Sequence, residues 1–187
     1  MASTADFRNG MVLDIDGGLW AITYFQHVKP GKGGAFVRTK LKNVLSGAVV
    51  DKTYRAGEKV SDIRLERHPV NYSYTDGDLY YFMDTGTYDM IPIARDLLGE
   101  DQLRYLKENM ECEGLVHDKD VISVELPQFV ELTVTNTDPG VRGDTAQGGT
   151  KPATLETGAI VRVPLFIEEG DVIKVDHREN KYLTRVS

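Results

Sequence analysis

Short runs in which apolar and polar residues alternate, separated by glycine- and proline-containing turns, make up most of the chain. Residues 35–44 show the pattern best: Ala35, Val37, Thr39 and Leu41 fall on one face of a strand, Phe36, Arg38, Lys40 and Lys42 on the other. The preceding run, 20–28, is dense in aromatic and β-branched residues (Trp20, Ile22, Thr23, Tyr24, Phe25, Val28), which suit a pleated surface. Further strands are predicted over 11–15, 48–54, 59–64, 70–75, 79–84, 88–92, 115–117, 121–125, 130–135, 159–167, 171–175 and 182–186. Asn9-Gly10, Gly17-Gly18, Asp76-Gly77, Pro139-Gly140 and Glu169-Gly170 mark turns between them. Helical spacing occurs once. Leu103, Leu106 and Met110 predict a helix over 101–110 whose single apolar stripe packs across a barrel end. The class this implies is all-β, built from small barrels or sandwiches with one short helix.

A charged link at 64–68 and the Leu126-Pro127-Gln128 segment divide the chain into residues 1–64, 65–127 and 128–187. Each piece is about the size of a five-stranded barrel. Within the third, the polar stretch 136–157 reads as a long loop, of a length that is usually functional or mobile. Pro164 is expected at a sheet edge or a bulge. No run reaches the ~18 apolar residues that cross a bilayer, and the first residues lack a basic and an apolar leader region. With the single cysteine, Cys112, these features predict a cytoplasmic protein without an internal disulfide and without membrane partners.

Charge sharpens the division. Residues 1–64 carry 10 Lys+Arg against 6 Asp+Glu, residues 65–127 carry 5 against 14, and residues 128–187 carry 7 against 9. A basic first third on an acidic body fits contact with RNA through one chosen face, not coating along the whole length. Arg38, Lys40 and Lys42, about 7 Å apart in succession on one strand face, could be that face or a solvated one.

Between the first two long strands lies Pro30-Gly31-Lys32-Gly33-Gly34, so the pair reads as a β-hairpin with a lysine at its tip. Proline fixes the exit from the first strand, and the glycines permit φ > 0 and close approach of the backbone to another body. Lys32 is thereby a presented amine, unless it serves only to keep a turn soluble. It is not a P-loop lysine, because two glycines and a strand follow it where a Ser or Thr and a helix are required. The four histidines (His27, His68, His117, His177) are scattered and form no metal-ligand spacing, and Thr75-Asp76-Gly77-Asp78 is more simply a hairpin turn than a cation loop. Nothing in the sequence pairs a nucleophile with a base.

Two long stretches carry a family resemblance. The first is Lys29 to Arg38, the glycine-flanked lysine and the strand after it. The second begins at Gly143-Asp144-Thr145 and runs through Lys151-Pro152-Ala153-Thr154-Leu155-Glu156-Thr157-Gly158 to Gly170. Together with Lys174-Val175-Asp176 and Tyr182-Leu183-Thr184-Arg185-Val186, they resemble bacterial translation elongation factor P over nearly the whole chain. The resemblance implies an SH3-like N-terminal β-barrel followed by two OB-type barrels. It implies binding to the 70S ribosome beside the peptidyl-tRNA and relief of stalling at consecutive prolines, with Lys32 reaching toward the CCA end. Gly143, Asp144 and Thr145 are then the part that approaches the mRNA codon near the exit site, and Tyr182 and Arg185 are further candidates for tRNA contact. Members of the family differ in whether a lysine-modifying enzyme extends the loop lysine, and Gly34 leaves the state of Lys32 open.

On this reading the protein is a monomeric factor without cofactor or metal, not an enzyme. It would speed a poor reaction by fixing the peptidyl-tRNA in a reactive arrangement. Arg38, Lys40 and Lys42 would neutralise tRNA phosphates. Two other classes make distinct predictions. A general single-strand RNA-binding OB module would bind broadly over both later barrels, against which the acidic middle piece counts. An enzyme using Lys32 as a Schiff-base amine would need a desolvated pocket, which a glycine-flanked tip is poorly placed to supply.

Overall fold

The computed structural model describes residues 1–140 and 149–187. It is an all-β fold of three sheets, each drawing its strands from one contiguous stretch of chain. Residues 1–68 with 114–123 form one compact unit, and residues 69–113 with 124–187 a second.

The first sheet contains β1 (Ala2–Ser3), β2 (Val12–Ile15), β3 (Gly18–Val28), β4 (Phe36–Asn43), β5 (Val49–Arg55) and β6 (Lys59–Ile63), in the order β1-β6-β2-β3-β4-β5. The alternation read from 35–44 is realised in β4: Val37, Thr39 and Leu41 are buried, while Arg38, Lys40 and Lys42 are exposed. Leu13, Ile22, Val37 and Leu41 close the core together with Phe7 and Tyr54, whose rings meet edge to face at 5.4 Å. Full burial of each large aliphatic side chain stabilises by about 1.5–3 kcal/mol, which fixes the register of β4 and hence the side on which its basic residues stand.

The second sheet contains β7 (Glu66–Asp76), β8 (Leu79–Asp84), β9 (Met90–Ala94), β10 (Glu111–His117) and β11 (Asp120–Glu125), ordered β11-β10-β7-β8-β9. Its β7 begins at Glu66, so most of the expected charged link at 64–68 is strand. Asp76 pairs with Leu79 across a tight hairpin, as the Asp-Gly signal predicts. The expected helix over 101–110 is not formed. Two single turns, α1 (Arg95–Leu98) and α2 (Glu100–Leu103), separated at Gly99 where φ is 75°, reach only the first three residues of that range. Asn109 at φ 62° then turns the chain into β10. Leu98 and Tyr105 are the buried residues here, while Leu103, Leu106 and Met110 are half-buried, so spacing misassigned the inward face. The side chain of Gln102 fastens the broken pair: its Nε2 donates to the Leu98 carbonyl (2.7 Å) and its Oε1 accepts from the Leu126 amide (2.9 Å). Cys112 is buried in β10, and burial pushes its thiol up to about 12.

The third sheet contains β12 (Phe129–Thr137), β13 (Thr150–Leu155), β14 (Ile160–Pro164), β15 (Val172–Asp176) and β16 (Lys181–Arg185), ordered β14-β13-β12-β15-β16. Strand β13 lies inside the stretch expected to be loop. Its proline hid it. Pro152 pairs only with Arg162 of β14, because the β12 ladder starts one residue later at Ala153, so no hydrogen bond is missed. Pro164 ends β14, the last strand of the sheet order, which is the edge position expected of it. Lys151, unexpectedly, is buried, with its Nζ donating to the Asp138 carbonyl.

Candidate functional site

Strands β3 and β4 pair from Trp20↔Asn43 to Val28↔Phe36, with a register shift between Ile22 and Tyr24, and residues 29–35 form the loop beyond. Backbone pairing ends at Val28, and Lys29, Pro30, Gly31, Lys32, Gly33 and Gly34 are all exposed. The loop glycines play unequal parts. Gly33 is held at φ 102°, where an L-residue is strained, whereas Gly31 and Gly34 are not in the positive-φ region. A Cβ at any of the three would meet nothing within 4 Å among the described residues, so the expected close approach of backbone to another body is not made among them. Lys32 therefore stands in open space on a tip with unobstructed flanks.

The outward face of β4 continues from this tip. By register, Arg38 lies between Gln26 and Thr53, Lys40 between Tyr24 and Asp51, and Lys42 between Ala21 and Val49. The Arg38 guanidinium sits 5.4 Å from the centre of the Phe36 ring, a cation–π contact that orients it at the loop end. Asp51, opposite Lys40, tempers the face. Arg55 strengthens it, paired in register with Phe36. Sequence reasoning missed Arg55, although the alternation Val49, Asp51, Thr53, Arg55 along β5 places it on the same side as Arg38.

The other residues singled out from sequence are not on this hairpin. Tyr182 and Arg185 lie on β16 in the second unit. Tyr182 is half-buried opposite Val175, and Arg185 is engaged by Asp171 (3.8 Å) and lies over the Phe166 ring (5.6 Å). Gly143, Asp144 and Thr145 lie outside the described residues.

Comparison with known proteins accounts for nearly the whole chain in three consecutive matches. Residues 3–60 match the Elongation factor P (EF-P) KOW-like domain, residues 65–124 the Elongation factor P (EF-P) OB domain, and residues 130–185 the C-terminal domain of elongation factor P. Among curated proteins, the elongation factor P of Rhodococcus erythropolis (strain PR4) is 58% identical over 187 residues, covering 100% of both chains. That of Saccharopolyspora erythraea is 56% identical, covering 100% of this chain and 99% of its own. That of Moorella thermoacetica is 52% identical over 185 residues, covering 99% and 100%. Among solved structures, the fold is shared with eukaryotic translation initiation factor 5A from Methanococcus jannaschii, at a TM-score of 0.51 and 21% identity, over 67% of this chain and 92% of that one.

Proposed function

From the premise that the chain belongs to the elongation factor P family and is a translation elongation factor, we propose that it binds the 70S ribosome beside the peptidyl-tRNA and relieves stalling at consecutive prolines through Lys32. The observation that carries this reading is the exposure of Lys32 on a tip whose glycine flanks meet nothing within 4 Å. Such a tip can enter a narrow RNA cleft without steric opposition. An ammonium on a four-carbon stem then bonds to the CCA end and neutralises nearby phosphate without transferring a proton.

The protein on this view acts by position and charge. Proline is a poor donor and acceptor because its ring misplaces the reacting groups, and a fixed peptidyl-tRNA recovers the orientational part of that barrier. Arg38, Lys40 and Lys42 are assigned to tRNA phosphates, with Arg55 added to them from the register of β5. Asp144 and Thr145 are assigned to the mRNA codon region, whose unstacked bases and riboses offer hydrogen bonds. Arg185 is a weaker tRNA contact, since Asp171 already holds it. The factor works as a cytoplasmic monomer. Lys32 is the amine that a modifying enzyme would extend, and intact-mass analysis of protein from its native host reads its state.

Translation in vitro of a reporter with three consecutive prolines tests the proposal. Wild-type protein is expected to restore the full-length product, and Lys32→Ala to fail, with no difference on a proline-free control. Equal rescue by Lys32→Ala overturns the role of Lys32. Absence of rescue by wild-type protein purified from its native host overturns the reading as a whole.

A further inference from the structure

The acidic character of residues 65–127 plays no part in the function proposed above, and it coincides with an apolar outer surface. The register of the second sheet gives three cross-strand rows on its outer side: Asn71–Met83–Met90, Tyr74–Tyr81–Pro92 and Asp76–Leu79–Ala94. The opposite side carries the buried Val70, Tyr72, Phe82 and Ile93. On the outer side Tyr74 and Tyr81 stack face to face, with centroids 4.6 Å apart and planes 15° from parallel. Tyr74 is 49% exposed, Met90 42% and Leu79 40%. At the turn that closes β8 and β9, Tyr88 is 74% exposed at φ 65°. A bulky residue in that backbone region is an outlier, and it costs about 1 kcal/mol or more. The turn is built by the Asp84 carboxylate, which accepts from the Gly86 and Thr87 amides.

Tyrosine and methionine clustered on an outward sheet face are the composition of an interface centre. The charge around them selects the partner. Asp76 shares the outer rows, and Asp78 and Asp89 stand exposed at the two turns flanking them. Arg95, at the end of β9, is held in a bidentate pair by Glu100 at 2.8 and 3.1 Å, which offsets its charge. Phosphate would be repelled from such a surface, whereas lysine and arginine would be drawn to the carboxylates and to the face of the stacked rings.

We propose that the outer face of β7, β8 and β9 is a docking surface for a lysine- and arginine-rich protein segment that also carries apolar side chains. The apolar groups would cover Tyr74, Tyr81 and Met90, and the cations would meet Asp76, Asp78 and Asp89. The surface goes beyond the lysine-loop reading and shares no residue with it.

The test uses the full chain, isotopically labelled for NMR, and a synthetic peptide of repeating Lys-Leu-Arg as probe. Oligo(U) RNA and a Glu-Leu-Glu repeat are the comparison ligands. The Lys-Leu-Arg peptide is expected to shift the amides of β7–β9 and the 84–89 turn selectively. Its Kd should rise at least about tenfold in Tyr74→Ser/Met90→Ser, both exposed positions. In Asp76→Asn/Asp89→Asn the affinity should fall and lose much of its salt dependence. Shifts spread evenly over acidic residues of the whole chain overturn the proposal, as does binding unaffected by either double variant. Preferential binding of oligo(U) to the same amides would replace the protein partner with RNA. Shifts that appear with protein concentration alone would replace it with a second copy of this chain.

Discussion

Three glycines surround Lys32, and in the sequence they are indistinguishable. In the structure only Gly33 needs to be glycine, because only it is held at φ 102°. Gly33→Ala is expected to cost about 1–2 kcal/mol in urea unfolding. Gly31→Ala and Gly34→Ala should stay within about 0.5 kcal/mol, since each has open space and an ordinary backbone. Lys32→Ala should leave stability unchanged within the same margin, so that its loss of rescue reads function alone. The basic residues of β4 were legible because the burial of Val37, Thr39 and Leu41 forces their neighbours outward. Arg55 was not, because the strand expected over 48–54 stops one residue short of it, and only the pairing of β5 with β4 sets it beside Phe36.

At the scale of elements, the all-β pattern and most strands could be read from period-two alternation, and the failures have physical causes. Strand β13 is polar and contains a proline, yet it forms because Pro152 falls beyond the β12 ladder. The apolar stripe over 103–110 suggests one helix, but the helical turn ends at Leu103 and Asn109 at positive φ turns the chain before the stripe is complete. The Gln102 side chain substitutes for the missing continuity, and Gln102→Ala is expected to cost about 1–2 kcal/mol, because it leaves the Leu126 amide without its acceptor. Chemical denaturation monitored by tyrosine fluorescence would read this loss.

The turn between β15 and β16 makes a second prediction. His177 is buried there, tilted against Tyr105 at 6.1 Å, and its Nε2 has no hydrogen-bond partner among the described residues. Burial lowers its pKa, and the charge of Arg178 lowers it further, against the opposing pull of Asp176 and Asp101. Between the unfolded value near 6.5 and the lower folded one, the unfolded chain binds more protons. The contribution of His177 is therefore complete above pH ~6.5 and is lost as pH falls through the folded pKa, by at most about 1.4 kcal/mol per pH unit. His177→Gln should remove that part of the slope, measured as the difference in unfolding free energy between the two proteins at pH 7.5 and below 6.5.

For the molecule as a whole, charge is partitioned along the chain, and the partition predicts how binding responds to salt. Replacing Arg38, Lys40 and Lys42 together by alanine should weaken association with 70S ribosomes. The slope of log K against log salt should become shallower by about 0.7–0.9 for each phosphate no longer neutralised, read by co-sedimentation at several salt concentrations. An unchanged slope would return these residues to the role of a solvated face. The single thiol has a whole-molecule consequence of another kind. Cys112 is buried, and its thiol is pushed up to about 12, so at neutral pH the native chain presents essentially no thiolate to an alkylating reagent. To such chemistry the folded protein is a blank page. A cysteine introduced at the lysine loop, as in Gly34→Cys, would take up a fluorophore alone, and a distance from that loop could be measured without first removing the native residue.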